Sequence, residues 1–173
     1  MNKNFTIIAL GANEGDKQKN LLDAVNALKN KINIAFCSNV YSSDALLPQN
    51  ADKNWSKQFY NCVFAGYTGF DLEELFSFCL QTENKISGSQ RQKGNWSPRM
   101  IDIDIIAFNE DVIETEKLKI PHNRMHERNF VLAPLNDILP NWKHPVLNKT
   151  TTELLSEIKL DNLNLQKTDI ELI

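Results

Sequence analysis

The sequence predicts a mixed α/β domain, one sheet with helices packed on it, and three observations support this. Short runs rich in β-branched and aromatic residues alternate with segments whose apolar residues recur at helical spacing. Helix-start signals precede two of those segments: Asp16 before "KQKNLLDAVNAL", and Asp71 with Glu74 before "LEELFSFCL". The 173 residues, 42% hydrophobic and 24% charged, suffice for one ordinary globular core without disulfide staples.

In chain order, residues 5–10 ("FTIIAL"), closed by Gly11, predict the first strand. Asp16 caps a helix with Leu21, Leu22, Val25 and Leu28 on one face. Residues 32–43 read as a second strand. Residues 44–57 are polar and patternless, a long loop of the kind that carries function. Residues 58–68 form a third strand. A capped helix follows through about Gln81, with Leu72, Leu75, Phe76 and Cys79 inward. Residues 87–99 are a second long loop, polar and basic, before a fourth strand at residues 100–108. After Pro121 the chain reads as compact and mixed, with a last helix near residues 152–158 and a polar tail. Strand, helix, strand, strand, helix, strand is the ferredoxin-like βαββαβ order, here with C-terminal additions. All of residues 1–173 read as a single domain.

Bulk properties exclude several functions. A net charge of -3 does not advertise for nucleic acid or anionic membrane. The apolar run at residues 5–10 is too short for a signal segment or a membrane span. Cys37, Cys62 and Cys79 are widely spaced with no C-x-x-C, and read as small buried hydrophobes in a reducing compartment. The cytoplasm is the expected location.

Chemistry concentrates in "WSPRMIDIDII", residues 96–106. Residues two apart in a strand share a face, so Asp102 and Asp104 point one way and Ile101, Ile103 and Ile105 the other. Neighbouring carboxylates repel each other, and a cation held between them removes the repulsion; Mg²⁺ with phosphate is the natural occupant. A bare D-x-D is more often a solvated strand edge, but here basic residues crowd it. Arg91, Lys93 and Arg99 precede it, and "PHNRMHER" adds His122, Arg124, His126 and Arg128. Acids with metal beside flexible cations suit a polyphosphate, although each cation alone reads as surface charge. Phe59, two residues before Asn61, and Phe130 offer aromatic walls and an amide for a planar heterocycle; on composition alone both are core residues. No P-loop, kinase signature or G-x-S-x-G is present, and His122 with His126 lacks the glutamate of H-E-x-x-H.

Taken together, "ALGANEGD", "FYNCVFAGYT", W-x-P-R-x-x-D-x-D and P-H-x-x-M-x-x-R-x-F-V-L-x-P-L closely resemble the 6-hydroxymethyl-7,8-dihydropterin pyrophosphokinase family over residues 5–147. The resemblance implies transfer of pyrophosphate from ATP to the pterin's hydroxymethyl group, releasing AMP, within folate biosynthesis. It implies two Mg²⁺ ions at Asp102 and Asp104. It places the pterin between Phe59 and Phe130, with Asn61 and the segment from Ser43 to Leu46 at its edge and Trp96 on a loop that closes over it. ATP would meet Glu83, Arg91, Arg99, Ile105, His122 and Arg128, with Lys117 where the family often has a basic residue. Arg91 and Arg99, with the two acids, would carry catalysis. The partners implied are small molecules, bound by a monomer.

Departures from the family pattern are Ser89, Asn95 and Ser97 in the basic loop, Asn84 where a glutamate is usual, and Ser43-Asp44-Ala45 in place of a proline-stiffened turn. The alternative is a weakened relative that binds pterin and nucleotide without turnover. A third reading, an RNA-binding module on a ferredoxin-like sheet, has against it the acidic charge and the acids on the sheet.

Overall fold

The computed structural model describes residues 3–46, 52, 55–88, 98–158 and 164–173. Strands β1 (Asn4–Ala12), β2 (Ile32–Cys37), β3 (Tyr41–Ser43), β4 (Phe59–Thr68) and β5 (Asp102–Phe108) belong to the main sheet. Helices α1 (Lys17–Leu28) and α2 (Leu72–Ser87) complete the βαββαβ order. A two-residue hairpin, β6 (Ile113–Glu114) with β7 (Lys119–Ile120), follows; α3 (Asn129–Ile138), α4 (Thr151–Glu157) and β8 (Leu165–Lys167) come last. The sheet runs β5-β1-β4-β3-β8, with β2 also paired to β4, and these pairings are antiparallel.

Helices cover both faces of this sheet. Leu21, Val25 and Leu28 of α1 and Leu75 and Cys79 of α2 bury against Ile8, Leu10, Phe64 and Ile103. On the other face Leu132 and Leu135 of α3 and Leu154 of α4 bury against Ile7, Ala9, Val63 and Ile106. Leu22, expected on the buried stripe, is 39% exposed; Asn20 and Ala24 lie inside instead. Cys62 and Cys79 are buried and Cys37 half-buried, all free thiols.

The expected second strand divides in two. Ser38 donates its N–H to the Val63 carbonyl at 2.9 Å, and its hydroxyl oxygen accepts the Val63 N–H at 3.0 Å. A side-chain oxygen thus takes the place of a ladder carbonyl, and the strand resumes only at Tyr41. Helix α2 runs past Gln81 to Ser87 because Thr82 and Glu83, polar but buried, continue its inner face. It ends at Gly88, whose φ of 68° is the left-handed cap conformation. Pro134 lies inside α3 and hid that helix from its pattern; β8 lies in the polar tail.

Strand β5 carries a bulge against β1. Ile8 opposes Ile105 and Ile7 opposes Ala107, leaving Ile106 as the extra residue. Before the bulge, Ile101, Ile103 and Ile105 pack on the α1/α2 side, as the two-residue period requires; after it, Ile106 and Ala107 pack on the α3 side and Phe108 returns to the first.

Candidate active site

Four strands meet at one end of the sheet. Gly11 of β1 stands between Asn61 of β4 and Asp102 of β5, with Tyr41 of β3 beyond Asn61. A Cβ on Gly11 would meet Asn61 Oδ1 at 3.3 Å and the Phe59 ring at 3.7 Å, so the bare backbone there forms a floor. Above it lies a cavity of about 340 Å³. Its walls include Phe59, Asn61, Ser43, Leu46, Phe130 and the acid pair, with Arg99 and Arg128 beside them. Asn61 Nδ2 donates to Ser43 Oγ at 2.9 Å, and both residues are buried, at 5% and 1% exposure.

The carboxylates already hold cations. Arg99 Nη1 lies 2.7 Å from Asp102 Oδ2, and Arg128 Nη1 lies 3.8 Å from Asp104 Oδ2. Arg99 is fixed through its backbone by the β1–α1 turn: its carbonyl accepts the N–H groups of Asn13 and Glu14 at 3.1 Å each, and its own N–H donates to Asn13 Oδ1 at 2.8 Å. Arg128 stacks over Phe130 at 5.7 Å, and its buried Nε finds no hydrogen-bond partner among the described residues. Burial lowers the Arg128 pKa, partly offset by Asp104.

A second cavity of about 310 Å³ opens along the outer edge of β5, between it and the β6–β7 hairpin. Ile105, Lys117 and His122 line it, and Asp104 borders both cavities. Burial, reinforced by the Arg128 charge, pushes the His122 pKa down to about 4, so its ring is neutral at neutral pH. Its Nδ1 accepts the Arg124 N–H at 3.4 Å, which leaves the proton on Nε2 as a donor.

The structure thus gathers Ser43, Leu46, Phe59, Asn61, Arg99, Asp102, Asp104, Arg128 and Phe130 around the first cavity, and Ile105 and His122 around the second. Glu83 lines neither. It is 3% exposed, and its Oε1 accepts the Ile103 N–H at 2.6 Å. Arg91, Lys93 and Trp96 lie outside the described residues. Gly11 and Arg124 join the first cavity without being named as site residues, and Asp44 joins it from within the Ser43–Leu46 segment. Arg124 stood in the basic segment, and the glycine in "ALGAN" was the one signal for the floor.

Two carboxylates with hard oxygen donors fit Mg²⁺, which keeps several waters and takes further ligands from phosphate. Among the described residues no group of three or more His, Cys, Asp or Glu is placed to hold a metal ion. The orphaned Arg128 N–H beside Asp104 is a donor suited to a phosphate oxygen. Among the described residues no helix is long and apolar enough to cross a membrane.

The sequence profile described as 7,8-dihydro-6-hydroxymethylpterin-pyrophosphokinase matches residues 7–140. Folic acid synthesis protein FOL1 of Dictyostelium discoideum is 38% identical over 87% of this chain, which spans only 22% of that longer protein. The 2-amino-4-hydroxy-6-hydroxymethyldihydropteridine pyrophosphokinase of Aquifex aeolicus is 34% identical over 87% of this chain and 89% of its own length. Its namesake in Bacillus subtilis is 36% identical over 78% of each. The crystal structure of wild-type Plasmodium falciparum HPPK-DHPS superposes with a TM-score of 0.68 at 18% identity, covering 90% of this chain and 45% of that one, which shows the shared fold. With that profile matched over most of its length and these relatives at 34–38% identity, the chain belongs to the 7,8-dihydro-6-hydroxymethylpterin-pyrophosphokinase family, whose members carry pyrophosphate from ATP to the pterin in folate synthesis.

Proposed function

We propose that this chain performs the family's transfer with the pterin in the first cavity, the nucleotide in the second, and the reacting phosphates at Asp102 and Asp104. The observation that carries this assignment is the position of Asp104, on the border of both cavities and facing Arg128. The pterin ring would lie between Phe59 and Phe130 with Asn61 at its edge, since apolar walls with a few fixed polar groups select a flat heterocycle. The adenine side would use Ile105. The Ile103 N–H points away from β1 to Glu83, and by strand alternation the Ile105 main-chain groups turn to the same outer side. His122, neutral, supplies an Nε2–H donor without a charge to desolvate.

Two Mg²⁺ ions held by Asp102 and Asp104 would neutralise part of the triphosphate charge. Arg99 and Arg128 sit where they can turn from these carboxylates to phosphate oxygens. The pterin hydroxyl oxygen bonds to the β-phosphorus, the bond from that phosphorus to the α,β-bridging oxygen breaks, AMP leaves, and the hydroxyl proton passes to solvent. Orientation and electrostatics supply the rate. The chain works as a monomer in the cytoplasm.

The test is a turnover assay with ATP, Mg²⁺ and 6-hydroxymethyl-7,8-dihydropterin, resolving AMP, ADP and pterin products. Pterin-dependent AMP, matched by pterin pyrophosphate and lost in Asp102→Ala and Asp104→Ala, is the expected result. A folded protein that makes neither product would overturn the reading.

A further inference from the structure

Residues beyond the family match brace one wall of the first cavity. Strand β8 pairs with β3, setting Leu165 opposite Ser43, Gln166 opposite Ser42 and Lys167 opposite Tyr41. The ladder continues past it: Thr168 donates its N–H to the Val40 carbonyl at 2.9 Å, and Val40 donates its own to the Ile170 carbonyl at 3.2 Å. Asn164 Nδ2 donates to Asp44 Oδ2 at 3.1 Å. Tyr41 and Lys167 meet on one carboxylate oxygen of Asp137 in α3, at 2.8 and 2.9 Å, which ties β3, β8 and α3 at a single point. Leu172 anchors the segment in the core at 6% exposure.

β3 has only three residues, too short to hold its place through β4 alone. Main-chain groups in a strand alternate between its two sides. Those of Val40 face β8, so those of Ser42 do too, and they depend on the C-terminal segment for partners. From the end of β3 the chain supplies Ser43, Asp44 and Leu46 to the cavity wall. The stretch Ser43-Asp44-Ala45-Leu46 contains no proline to narrow its backbone freedom, so external partners must fix it. No residue of 164–173 lines either cavity, so the segment would act through Ser43 and Asp44.

We infer that β8 and Asn164 are positioning elements for the pterin-facing wall, setting affinity for the pterin and not for the nucleotide. The inference rests on the proposed function. Its test uses the full chain as wild type, Asn164→Ala, Gln166→Pro, and the exchanged pair Asp44→Asn with Asn164→Asp, which restores the hydrogen bond with donor and acceptor swapped. The readouts are KM for each substrate, kcat, and the Kd of the pterin with Mg²⁺ and a non-hydrolysable ATP analogue. Asn164→Ala is expected to raise pterin KM and Kd about three- to tenfold, the scale of one lost hydrogen bond. ATP KM and kcat stay within about twofold, and the exchanged pair returns the pterin values toward wild type. Gln166→Pro raises the pterin values further, with an unchanged far-ultraviolet circular dichroism spectrum.

Unchanged pterin values in both variants, or an equal rise in ATP KM, would overturn the inference. If the wild type binds pterin without turnover, the assigned reaction fails and the Kd series alone decides the inference. If it binds no pterin, both fall.

Discussion

The carboxylate of Glu83 accepts the N–H of Ile103 at 2.6 Å, on the residue between Asp102 and Asp104. A buried helix side chain thereby takes a main-chain donor that an edge strand would otherwise present to water.

Replacing Glu83 with Leu leaves that donor without its carboxylate. Chemical denaturation should show a loss of about 1–3 kcal/mol, and the Mg²⁺ concentration for half-maximal rate should rise. Glu83→Gln keeps a carbonyl oxygen for the same amide and should stay within about 1 kcal/mol of wild type. Equal damage from both substitutions would mean that the negative charge, not the acceptor, matters.

Gly11→Ala should act on the pterin alone. The added methyl would crowd Asn61 Oδ1 at 3.3 Å and the Phe59 ring at 3.7 Å without forcing an unusual backbone angle. Pterin KM should rise about tenfold, the scale of one misplaced polar contact, with ATP KM little changed. Titrating each substrate at saturation of the other checks this.

Asn13→Ala removes one of the three hydrogen bonds that hold the Arg99 backbone, the one from its own N–H. The Arg99 side chain remains but is aimed less well. We expect kcat to fall about tenfold with a smaller change in melting temperature, since loose positioning costs rate more than stability. Arg99→Lys should be worse than Asn13→Ala, because an ammonium cannot reproduce the planar fork.

His122 gives a pH signature. Its folded pKa of about 4 lies below the ordinary 6.5 because burial and Arg128 disfavour the charged ring. As pH falls below 6.5 the unfolded chain takes up a proton that the folded chain refuses until about pH 4. Stability is therefore full above 6.5 and declines toward 4, by about 1–3 kcal/mol given the partial exposure of the ring. Denaturation midpoints of wild type and His122→Asn across that range should converge at low pH and separate above it.

The sequence made the acid pair and its neighbours legible because the two-residue period is strict before the bulge, and because Asp16, Asp71 and Glu74 announce their helices. What escaped it had physical reasons. Ser38 imitates a main-chain carbonyl and splits a strand whose composition is continuous. Pro134 looks like a helix breaker but sits within α3, buried against the sheet. The family resemblance sets Glu83 at the nucleotide, whereas its hydrogen bond to a backbone amide twenty residues away has no sequence signature. The tail is polar because β8 borders the sheet, where neither face is fully covered.

Ile106 gives β5 two reading frames. Upstream of it, even-numbered residues face the substrate side; downstream, odd-numbered Ala107 does, while Phe108 returns to the opposite core. The strand is phase-locked separately at each end, to the cavity through Asp102 and Asp104 and to the hydrophobic interior through Phe108. Deleting Ile106 would leave one frame for both tasks: either the acids would turn into the layer beneath α1 and α2, or Phe108 would lose its socket. A single inserted residue thus lets a reactive edge and a packed core share one strand without sharing its parity.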